Sequence, residues 1–368
     1  MLRLQHISLL QFKNYSNRDF DFGERIIGIC GKNGVGKTNL LDAIHYLCFT
    51  KSYFSRLDGN NVQHGNAGFR LEGNFELNDK AEKAICILRE TGRKEFSVND
   101  DPYEKFSHHI GRYPCVVIAP DDGELITGDS KERRSFLDAL LCQLDGVYMQ
   151  QLIIYKKVLE QRNSLLRSFA ETGNRDAELL DVLDQQLVKP GEYVFNKRKE
   201  FVVSFLPLAK HLYLDIAHSP TDVKAVNTED VNLFYESELL QASFAELLQV
   251  NRNRDCLAQR TTSGPHRDEL DMQLGNQLFK NIASQGQRKS LLFALKLAEM
   301  EVLKKEKGFA PLLLLDDVFE KLDEDRIGNL LNKVCIENEG QVFITDTNEE
   351  RLSRHLSELN INYQLIAL

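Results

Sequence analysis

One octapeptide near the N-terminus constrains the fold of this chain more than any other feature. It reads Gly31-Lys32-Asn33-Gly34-Val35-Gly36-Lys37-Thr38 and fits the phosphate-binding pattern G-x-x-x-x-G-K-[ST]. An apolar run over 26–30, typical of a strand buried on both faces, precedes it, and the spacing of a helix over 37–49 follows it. A strand, a glycine-rich loop and a helix in this order predict a cradle of backbone N–H groups around nucleotide phosphates.

The residue types of this phosphate loop predict how it binds a nucleotide. All eight residues, 31–38, are predicted nucleotide-binding residues because the glycines let the backbone turn its N–H groups inward. Lys37 is expected to reach the β- and γ-phosphates and is one of two predicted catalytic residues. Thr38 is a predicted ligand of Mg²⁺.

A second element predicts where the metal and the attacking water are held. It is a run of four leucines followed by two acids, Leu312-Leu313-Leu314-Leu315-Asp316-Asp317. Alone, the run also fits a strand that ends in a solvated turn, but beside a phosphate loop it indicates a buried strand that delivers a carboxylate to the metal. Asp316 is predicted to hold Mg²⁺ through water. Asp317, the second predicted catalytic residue, is expected either to deprotonate the attacking water or to orient it.

The two ends of the chain carry strand patterns. Alternating apolar residues between 69 and 98 predict antiparallel strands, and a terminal strand is predicted near 363–367. Together with the strands at 26–30 and 312–315, these patterns indicate that the two ends form one domain.

The separation of the two nucleotide elements predicts that this domain is interrupted. They lie about 280 residues apart, farther than a compact GTPase or kinase needs. Strand patterns vanish between about 130 and 212, where helical patterns are broken at Gly173-Asn174 and at Pro190-Gly191, which predicts an arm rather than a coiled-coil rod. The prediction is therefore one head made from 1–128 and 250–368, with a helical arm, 129–249, inserted in it.

A small-residue turn upstream of the leucine run predicts a second anion cradle. It reads Ser284-Gln285-Gly286-Gln287 and opens a helix predicted from Gln287 to about Lys305. By itself the turn also fits an ordinary helix cap, with Ser284 as the capping residue. The order of phosphate loop, Ser-x-Gly-Gln turn, Asp-Asp strand and Leu322-Asp323 resembles the heads of ABC-type ATPases. In those heads the turn, here Ser284, Gly286 and Gln287, reads the γ-phosphate held by a second subunit.

Motifs along essentially the whole chain resemble the RecF family of bacterial ATPases. They are Phe12-Lys13-Asn14-Tyr15, Lys51-Ser52-Tyr53-Phe54-Ser55, Pro120-Asp121-Asp122 with Gly128, Arg133-Arg134-Ser135-Phe136-Leu137-Asp138, Gln161-Arg162-Asn163, and Thr261-Thr262-Ser263-Gly264-Pro265-His266-Arg267-Asp268. The last of these is the clearest single match outside the nucleotide motifs. Its residues alone predict only a turn with an exposed ion pair.

The resemblance implies an α/β fold, an ABC-type P-loop ATPase head of mixed sheet and helices with an inserted α-helical arm. It implies ATP and Mg²⁺ as ligands and a homodimer that forms when ATP is bound, each ATP lying between one chain's phosphate loop and the other chain's Ser284 turn. It further implies a clamp on double-stranded DNA at gaps or junctions, with RecR and RecO as partners and RecA loading as the outcome. The setting would be cytoplasmic DNA repair, replication and the SOS response to DNA damage.

Two positions predict slow ATP hydrolysis, which would act as a release timer; DNA is expected to stimulate it. Asp317 is one methylene shorter than the glutamate that many relatives carry there. Thr345-Asp346-Thr347 stands where transporter-type ATPases usually place a switch histidine. A turnover number in the hundreds per second would contradict the timer.

Any DNA binding must come from a local patch, because the formal net charge of −9 gives no global attraction to phosphates. The candidate clusters are Arg133 with Arg134, Lys156 and Lys157 with Arg162, Lys197-Arg198-Lys199, and Arg260 with His266 and Arg267. The sequence does not decide among them. One prediction is that neutralising Arg133 and Arg134 weakens DNA binding and leaves ATP binding intact.

Three other classes of protein share parts of this pattern and are disfavoured. A transporter ATPase keeps its nucleotide motifs closer together and docks on a membrane partner, whereas this chain has a long interruption between them and no histidine at the switch strand. The sequence also contains no apolar run long enough for a membrane span. A chromosome-organising ATPase carries hundreds of residues of coiled coil. A related nuclease would need a carboxylate-rich domain after Asp346. The seven cysteines are scattered and are predicted to be reduced, buried thiols.

Overall fold

The computed structural model describes residues 1–173, 176–217, 231–319 and 324–368. Asn174, Leu322 and Asp323, named above, lie outside these ranges. The first third of the chain forms β1 (Leu2–Phe12), β2 (Tyr15–Asp21), β3 (Ile26–Cys30), α1 (Lys37–Phe49), β4 (Phe69–Leu77), β5 (Lys80–Leu88), β6 (Lys94–Val98), β7 (Asp101–Pro102) and β8 (Cys115–Ile118). The middle forms α2 (Glu124–Thr127), α3 (Ser130–Leu144), α4 (Gly146–Thr172), α5 (Ala177–Ala217), β9 (Val231–Glu236), α6 (Phe244–Val250), α7 (Arg252–Ala258), β10 (Glu269–Leu274), β11 (Gln277–Leu278) and α8 (Phe279–Ile282). The last part forms α9 (Gln285–Lys307), β12 (Leu312–Leu315), α10 (Glu324–Leu331), a π-helical segment (Asn332–Glu337), β13 (Val342–Asp346), α11 (Glu349–Glu358) and β14 (Tyr363–Ala367).

A parallel sheet joins the two ends of the chain. Its strand order is β14-β3-β13-β12-β8, and all four pairings are parallel. The residues of β3, β8, β12 and β13 are buried throughout, as strands covered on both faces are expected to be. The predicted strands 26–30, 312–315 and 363–367 are confirmed residue for residue.

An antiparallel sheet, β2-β1-β4-β5-β6-β7, packs its apolar face on α1. Strand β1 alternates buried and more exposed residues, so that Leu2, Leu4, Ile7 and Leu9 enter the core. The same core includes Leu40, Ile44 and Leu47 of α1. The predicted antiparallel strands between 69 and 98 are confirmed by β4, β5 and β6.

The chain divides into two compact units. The first consists of Met1–Gly123, the described part of Leu212–Ala225, and Ser284–Leu368; the second consists of Glu124–His211 and the described part of Val226–Ala283. The predicted boundaries at 128/129 and 249/250 differ from this division. Residues 250–283 fall in the second unit because β10 pairs antiparallel with β9 over six residues.

The sequence patterns predicted a helical arm, whereas the second unit also includes the three-stranded sheet β11-β10-β9. The predicted break at Pro190-Gly191 is also wrong, since α5 runs from Ala177 to Ala217 through Pro190 and Pro207. Gly191 lets the ring of Phe244 approach the helix backbone, and a Cβ there would lie 2.5 Å from that ring. Tertiary packing of this kind overrides the local tendency of proline to end a helix. Gly173, in contrast, does cap the end of α4 with a left-handed conformation.

Among the helices that the structure describes, none is both long enough and apolar enough to cross a membrane.

Candidate nucleotide-binding site

The parallel sheet places the predicted site residues at one edge. In the strand register, Leu315 at the end of β12 lies opposite Ile344 of β13, and Cys30 at the end of β3 lies opposite Asp346. The residues that follow these strands therefore meet at the carboxyl ends of the sheet, where open α/β sheets bind ligands. This register explains how residues almost 280 positions apart form one cluster.

The phosphate loop is supported from outside by the motif 12–15. Asn14 donates from Nδ2 to the carbonyl oxygen of Val35 at 2.8 Å, and Tyr15 donates its hydroxyl to the carbonyl oxygen of Gly36 at 3.1 Å. Gly36 has φ 120°, a conformation that favours glycine, and a Cβ there would lie 2.7 Å from the amide nitrogen of Asn14. The sequence pattern marks the motif 12–15 but does not predict that Asn14 and Tyr15 hold the phosphate loop through its carbonyl oxygens.

Lys37 folds back over the loop that precedes it. Its ammonium donates to the carbonyl oxygens of Gly31 at 2.9 Å and Lys32 at 3.4 Å, and its side chain is buried. Gly36, the residue before α1, makes no side-chain cap for that helix. The loop thus combines a glycine turn, a helix N-terminus and a lysine, which together suit the phosphates of a nucleotide.

Asp316 is the centre of the acidic side of the site. Thr38 donates its hydroxyl to Oδ2 of Asp316 at 2.8 Å, and Thr345 donates its hydroxyl to Oδ1 at 2.8 Å. Asp316 is only 3% exposed, and burial raises its pKa above the usual range, against the opposing effect of these hydroxyls and of Lys37. The two predicted Mg²⁺ ligands, Thr38 and Asp316, therefore contact each other directly.

The hydroxyl and carboxylate oxygens of Thr38 and Asp316 fit Mg²⁺, a hard cation that prefers oxygen ligands. The burial of Asp316 supports this fit, because a buried carboxylate is stabilised by a nearby cation. These two residues are the ones that would hold the ion.

Asp317 follows with a left-handed backbone conformation, φ 44°. Its amide donates to the hydroxyl oxygen of Thr345 at 2.9 Å, so that one threonine contacts both neighbouring acids. Thr345 lies at the strand end where transporter-type ATPases usually place a switch histidine. Its hydroxyl is a site component that the sequence patterns did not reveal, because the contact depends on the pairing of β12 with β13.

The predicted signature turn forms a capping box at the start of α9. The hydroxyl of Ser284 accepts from the amide of Gln287 at 3.2 Å, while the side-chain oxygen of Gln287 accepts from the amide of Ser284 at 2.8 Å. Ser284 is exposed, and a Cβ on Gly286 would lie 2.4 Å from the guanidinium of Arg326. The helix begins at Gln285, two residues before the predicted start.

The structure removes several basic residues from the set of DNA candidates. Arg162 is 0% exposed and forms ion pairs with Asp184 and Asp255. Arg198 is also buried and forms ion pairs with two aspartates of the second unit. The interpretation of these two residues as DNA contacts is wrong, because a buried, paired guanidinium offers no charge to a phosphate backbone.

The pair Arg133 and Arg134 has internal partners as well. Arg133 is buried, binds the carboxylate of Glu269 at 2.7 Å and donates to the carbonyl oxygen of Gly128 at 2.9 Å. Arg134 donates to the carbonyl oxygen of Asp268 at 2.7 Å. These contacts remove the basis for predicting a DNA contact at this pair. The exposed basic residues among the candidates are Lys156, Lys157, Lys199, Arg260 and Arg267.

The motif 261–268 forms part of a buried polar network, not the exposed ion pair that its residues predicted. Asp268 is buried, accepts from Arg198 at 3.0 Å, and also accepts from the hydroxyl of Tyr235. His266 bonds to the hydroxyl of Tyr155 at 2.6 Å and to the carbonyl oxygen of Thr261 at 3.0 Å. The prediction of an exposed ion pair is wrong because the sequence does not reveal that Arg198, on a distant helix, pairs with the carboxylate of Asp268.

Known proteins resemble this chain over its full length. The family profile described as RecF/RecN/SMC N terminal domain matches residues 3–364. The DNA replication and repair protein RecF of Flavobacterium johnsoniae is 41% identical, and the match covers 100% of both chains. The protein of the same name from Bacteroides thetaiotaomicron is 39% identical, over 98% of this chain and 95% of its own.

Solved structures agree with this assignment. The recombination mediator protein RecF of the RecFOR pathway, solved as RecF-ATPrS, has a TM-score of 0.84 and 27% identity over 95% of this chain and 93% of its own. The Smc head domain of Pyrococcus furiosus has a TM-score of 0.53 at 15% identity, over 96% of this chain and 92% of its own, which shows a shared fold alone. The predicted fold class, an ABC-type ATPase head with an inserted helical lobe, is confirmed. The chain belongs to the RecF family of DNA replication and repair proteins.

Proposed function

We propose that this chain is an ATP-dependent DNA-binding clamp that acts in recombinational repair and in the processing of replication gaps. The observation that carries the proposal is the contact of Thr38 with Asp316 beside the phosphate loop. ATP would lie on the backbone N–H groups of 31–38, with the ammonium of Lys37 moving from loop carbonyls to the phosphates. A relative solved as RecF-ATP supports ATP as the nucleotide.

Hydrolysis in this proposal is slow and serves to release the clamp. Asp317 accepts a proton from the attacking water or orients it, and Lys37 stabilises negative charge that develops on the phosphates. Bound Mg²⁺, held by Thr38 and Asp316, would neutralise charge on the phosphate oxygens. The short side chain of Asp317 and the threonine at 345 support a low turnover number, and DNA is expected to stimulate it.

The active unit is proposed to be a head-to-head homodimer. Ser284, Gly286 and Gln287 of one chain would face the γ-phosphate held by the partner, because the start of α9 combines a helix N-terminus with an exposed hydroxyl. The closed dimer would bind double-stranded DNA at gaps or junctions. RecR and RecO are the proposed partners, with loading of the RecA recombinase as the outcome, and the RecFOR pathway named for a solved relative supports this setting.

Solution mass tests the dimer directly. The protein is measured alone, with ADP, and with a non-hydrolysable ATP analogue, each with and without gapped DNA. Dimers are expected only with the analogue, in larger amounts when DNA is present, and Ser284→Arg should abolish them by placing a bulky cation at the turn. A monomer under every condition would contradict the head-to-head mechanism.

The second unit offers a matched control for this substitution. Ser243 is also exposed and also closes a capping box, with Glu246 at the start of α6. Ser243→Arg should therefore cost a similar amount of stability, about 1 kcal/mol, for the lost cap. Its dimerisation should match that of the unsubstituted chain, which separates a role of Ser284 at the nucleotide from simple loss of a cap.

A further inference from the structure

A chain of polar contacts in the first unit begins at Asp42, about one and a half turns after Lys37 on α1. The carboxylate of Asp42 is buried, forms an ion pair with Lys13 at 2.5 Å and accepts from the hydroxyl of Ser52 at 2.6 Å. It also accepts from the backbone amide of Tyr53 at 2.7 Å. The motif 51–55 is thereby held on the helix that the phosphate loop opens.

Tyr53 connects α1 to the residues that follow strand β8. Its ring packs edge-on against His45 of α1, with ring centroids 5.1 Å apart, and its hydroxyl donates to the carboxylate of Asp122. Asp122 follows strand β8 and also accepts from the amide of Ala119 at 2.8 Å. Two motifs, 51–55 and 120–122, thus meet at the hydroxyl of Tyr53.

Lys296 of α9 completes the connection. Its ammonium lies 3.4 Å from the hydroxyl oxygen of Tyr53, 5.7 Å from the centre of that ring, and 4.0 Å from the carboxylate of Asp122. The carboxylate of Glu299, one turn further along α9, is 3.7 Å from the same ammonium. The side chain of Lys296 is 8% exposed. The signature residue Ser284 lies twelve residues earlier, about 18 Å along the same helix.

Stability alone does not account for a lysine at this depth. Removing an ammonium from water offsets much of its attraction to nearby carboxylates, and an apolar side chain of similar size often serves a buried site equally well. A charged, hydrogen-bonded contact depends on distance and direction, however, so it restricts the relative position of two helices more than apolar packing does. The two helices here lead from the phosphate loop and from the signature turn.

We propose that Tyr53 and Lys296 are positioning residues that couple the phosphate loop of a chain to its own signature turn. Phosphate binding orders the loop and α1; Tyr53 follows α1 through Asp42 and His45, and Lys296 carries the change to α9. The signature turn is thereby set for a partner chain only when its own loop holds a nucleotide. This inference rests on the proposed function for its purpose, and its test does not require a dimer.

Amide hydrogen exchange measures the coupling in the full-length monomer. The ATP analogue is added at a protein concentration at which the solution mass is that of one chain. In the unsubstituted protein the analogue should slow exchange over 31–38 and, at least about threefold, over 284–290. In Tyr53→Phe and in Lys296→Met the slowing over 31–38 should persist, while that over 284–290 should fall below about 1.5-fold.

Two substitutions in the same unit serve as matched controls. Tyr113 is a buried tyrosine whose hydroxyl donates to a carboxylate, that of Glu82 at 2.7 Å, so Tyr113→Phe repeats the chemical change of Tyr53→Phe. Lys94 is a partly buried lysine paired with Asp58 at 2.8 Å, so Lys94→Met repeats that of Lys296→Met. Both controls should keep the slowing over 284–290. The double variant Tyr53→Phe with Lys296→Met should lose no more of the slowing over 284–290 than either single variant. Either substitution alone already breaks the contact between the two residues.

Three results would overturn the inference. The first is that the analogue slows exchange over 31–38 but not over 284–290 in the unsubstituted protein. The second is that Tyr53→Phe and Lys296→Met retain the full slowing over 284–290. The third is that these two variants also lose the slowing over 31–38. If instead the exchange results are as expected and the protein stays monomeric at every concentration, the coupling stands and the proposed dimer fails.

Discussion

Removing the hydroxyl of Thr345 should separate nucleotide binding from hydrolysis. Its hydroxyl orients Asp316 and accepts from the amide of Asp317. Thr345→Val keeps the shape of the side chain and removes both hydrogen bonds. We expect the ATP turnover number to fall about tenfold or more, because misplaced acids support the reaction poorly, while the dissociation constant of ATP changes less than about twofold.

Two further variants make this measurement decisive. Thr345→Ser restores the hydroxyl and should restore most of the turnover. Thr347→Val removes a hydroxyl two residues later along the chain and should leave turnover unchanged. Equal loss in Thr345→Val and Thr345→Ser would show that the methyl group and its packing, not the hydroxyl, are what matters.

Glu299 should make the stability of the head depend on pH. Burial raises its pKa to about 7, against the opposing effect of Lys296, so the folded protein retains a proton that the unfolded chain releases near its usual value of 4.5. The stability from that proton is complete below about pH 4.5 and is lost as the pH rises towards 7. Glu299→Gln keeps a neutral group at every pH. Its free energy of unfolding, relative to the unsubstituted protein, should increase between pH 4.5 and 7 and level off above.

Urea unfolding at several pH values measures this difference. Glu301→Gln, on the same helix at a more exposed position, is the control and should show no such trend. A constant difference for Glu299→Gln across this range would contradict the expected protonation of the buried carboxyl group.

Helix α5 provides a test of how packing controls an element. Glycine inside a helix normally costs about 1 kcal/mol relative to alanine. Gly191→Ala should nevertheless destabilise the protein by about 1–3 kcal/mol, because the new methyl group would overlap the ring of Phe244. At Gly328, inside α10, a Cβ would meet no atom of the described residues within 4 Å apart from the adjacent backbone of its own helix, so Gly328→Ala should stabilise the protein by up to about 1 kcal/mol. Denaturant unfolding of both variants gives the comparison; a stabilising Gly191→Ala would contradict this account of α5.

The buried network around Arg198 holds several elements of the second unit together. Its guanidinium, on α5, binds Asp138 of α3 and Asp268 beside β10. Arg198→Met should lower the free energy of unfolding by about 3–5 kcal/mol, because it removes the guanidinium from two buried carboxylates and leaves Asp138 with the exposed ammonium of Lys156 at 3.4 Å. Lys199→Met, at the next and exposed position, should change it by less than about 0.5 kcal/mol. Similar values for the two variants in urea unfolding would mean that the network contributes no stability.

At the scale of the whole molecule, the negative net charge gives no general attraction to DNA, so any affinity for DNA must come from a few exposed basic side chains. Arg260 and Arg267 are exposed; Arg260 directly precedes the motif 261–268, and Arg267 is its last residue but one. Arg260→Ala and Arg267→Ala should each lower affinity and reduce the slope of log K against log salt by about one, as expected for one lost phosphate contact. The matched variant Arg133→Met, which breaks an internal ion pair, should lower stability and leave the slope unchanged. An unchanged slope in both alanine variants would place the DNA contact elsewhere.

Much of the head could be predicted because its strands, loop and first helix are specified by residues close together in the sequence. The strand at 26–30, the helix at 37–49 and the strand at 312–315 were all predicted with their observed bounds, because burial pattern and glycine chemistry act over a few residues. The strands of the second unit were not predicted, because β9 is short and mostly exposed on one face and acquires its partner, β10, only in the fold. The continuity of α5 through Pro190 was missed for a related reason, since Phe244 approaches from a distant part of the chain.

Short stretches of neighbouring residues were enough to establish a phosphate loop, a strand that ends in two acids, and a serine turn, in the order of an ABC-type head. Their residue types dictate backbone conformation and charge without reference to the rest of the chain. The folded molecule was needed to show that Thr345 contacts both acids, that Arg133, Arg162 and Arg198 serve internal ion pairs, and that Tyr53 and Lys296 connect two helices. Each of these depends on which distant side chains share a buried space, and burial gives a charge or a hydroxyl its partner and hence its role.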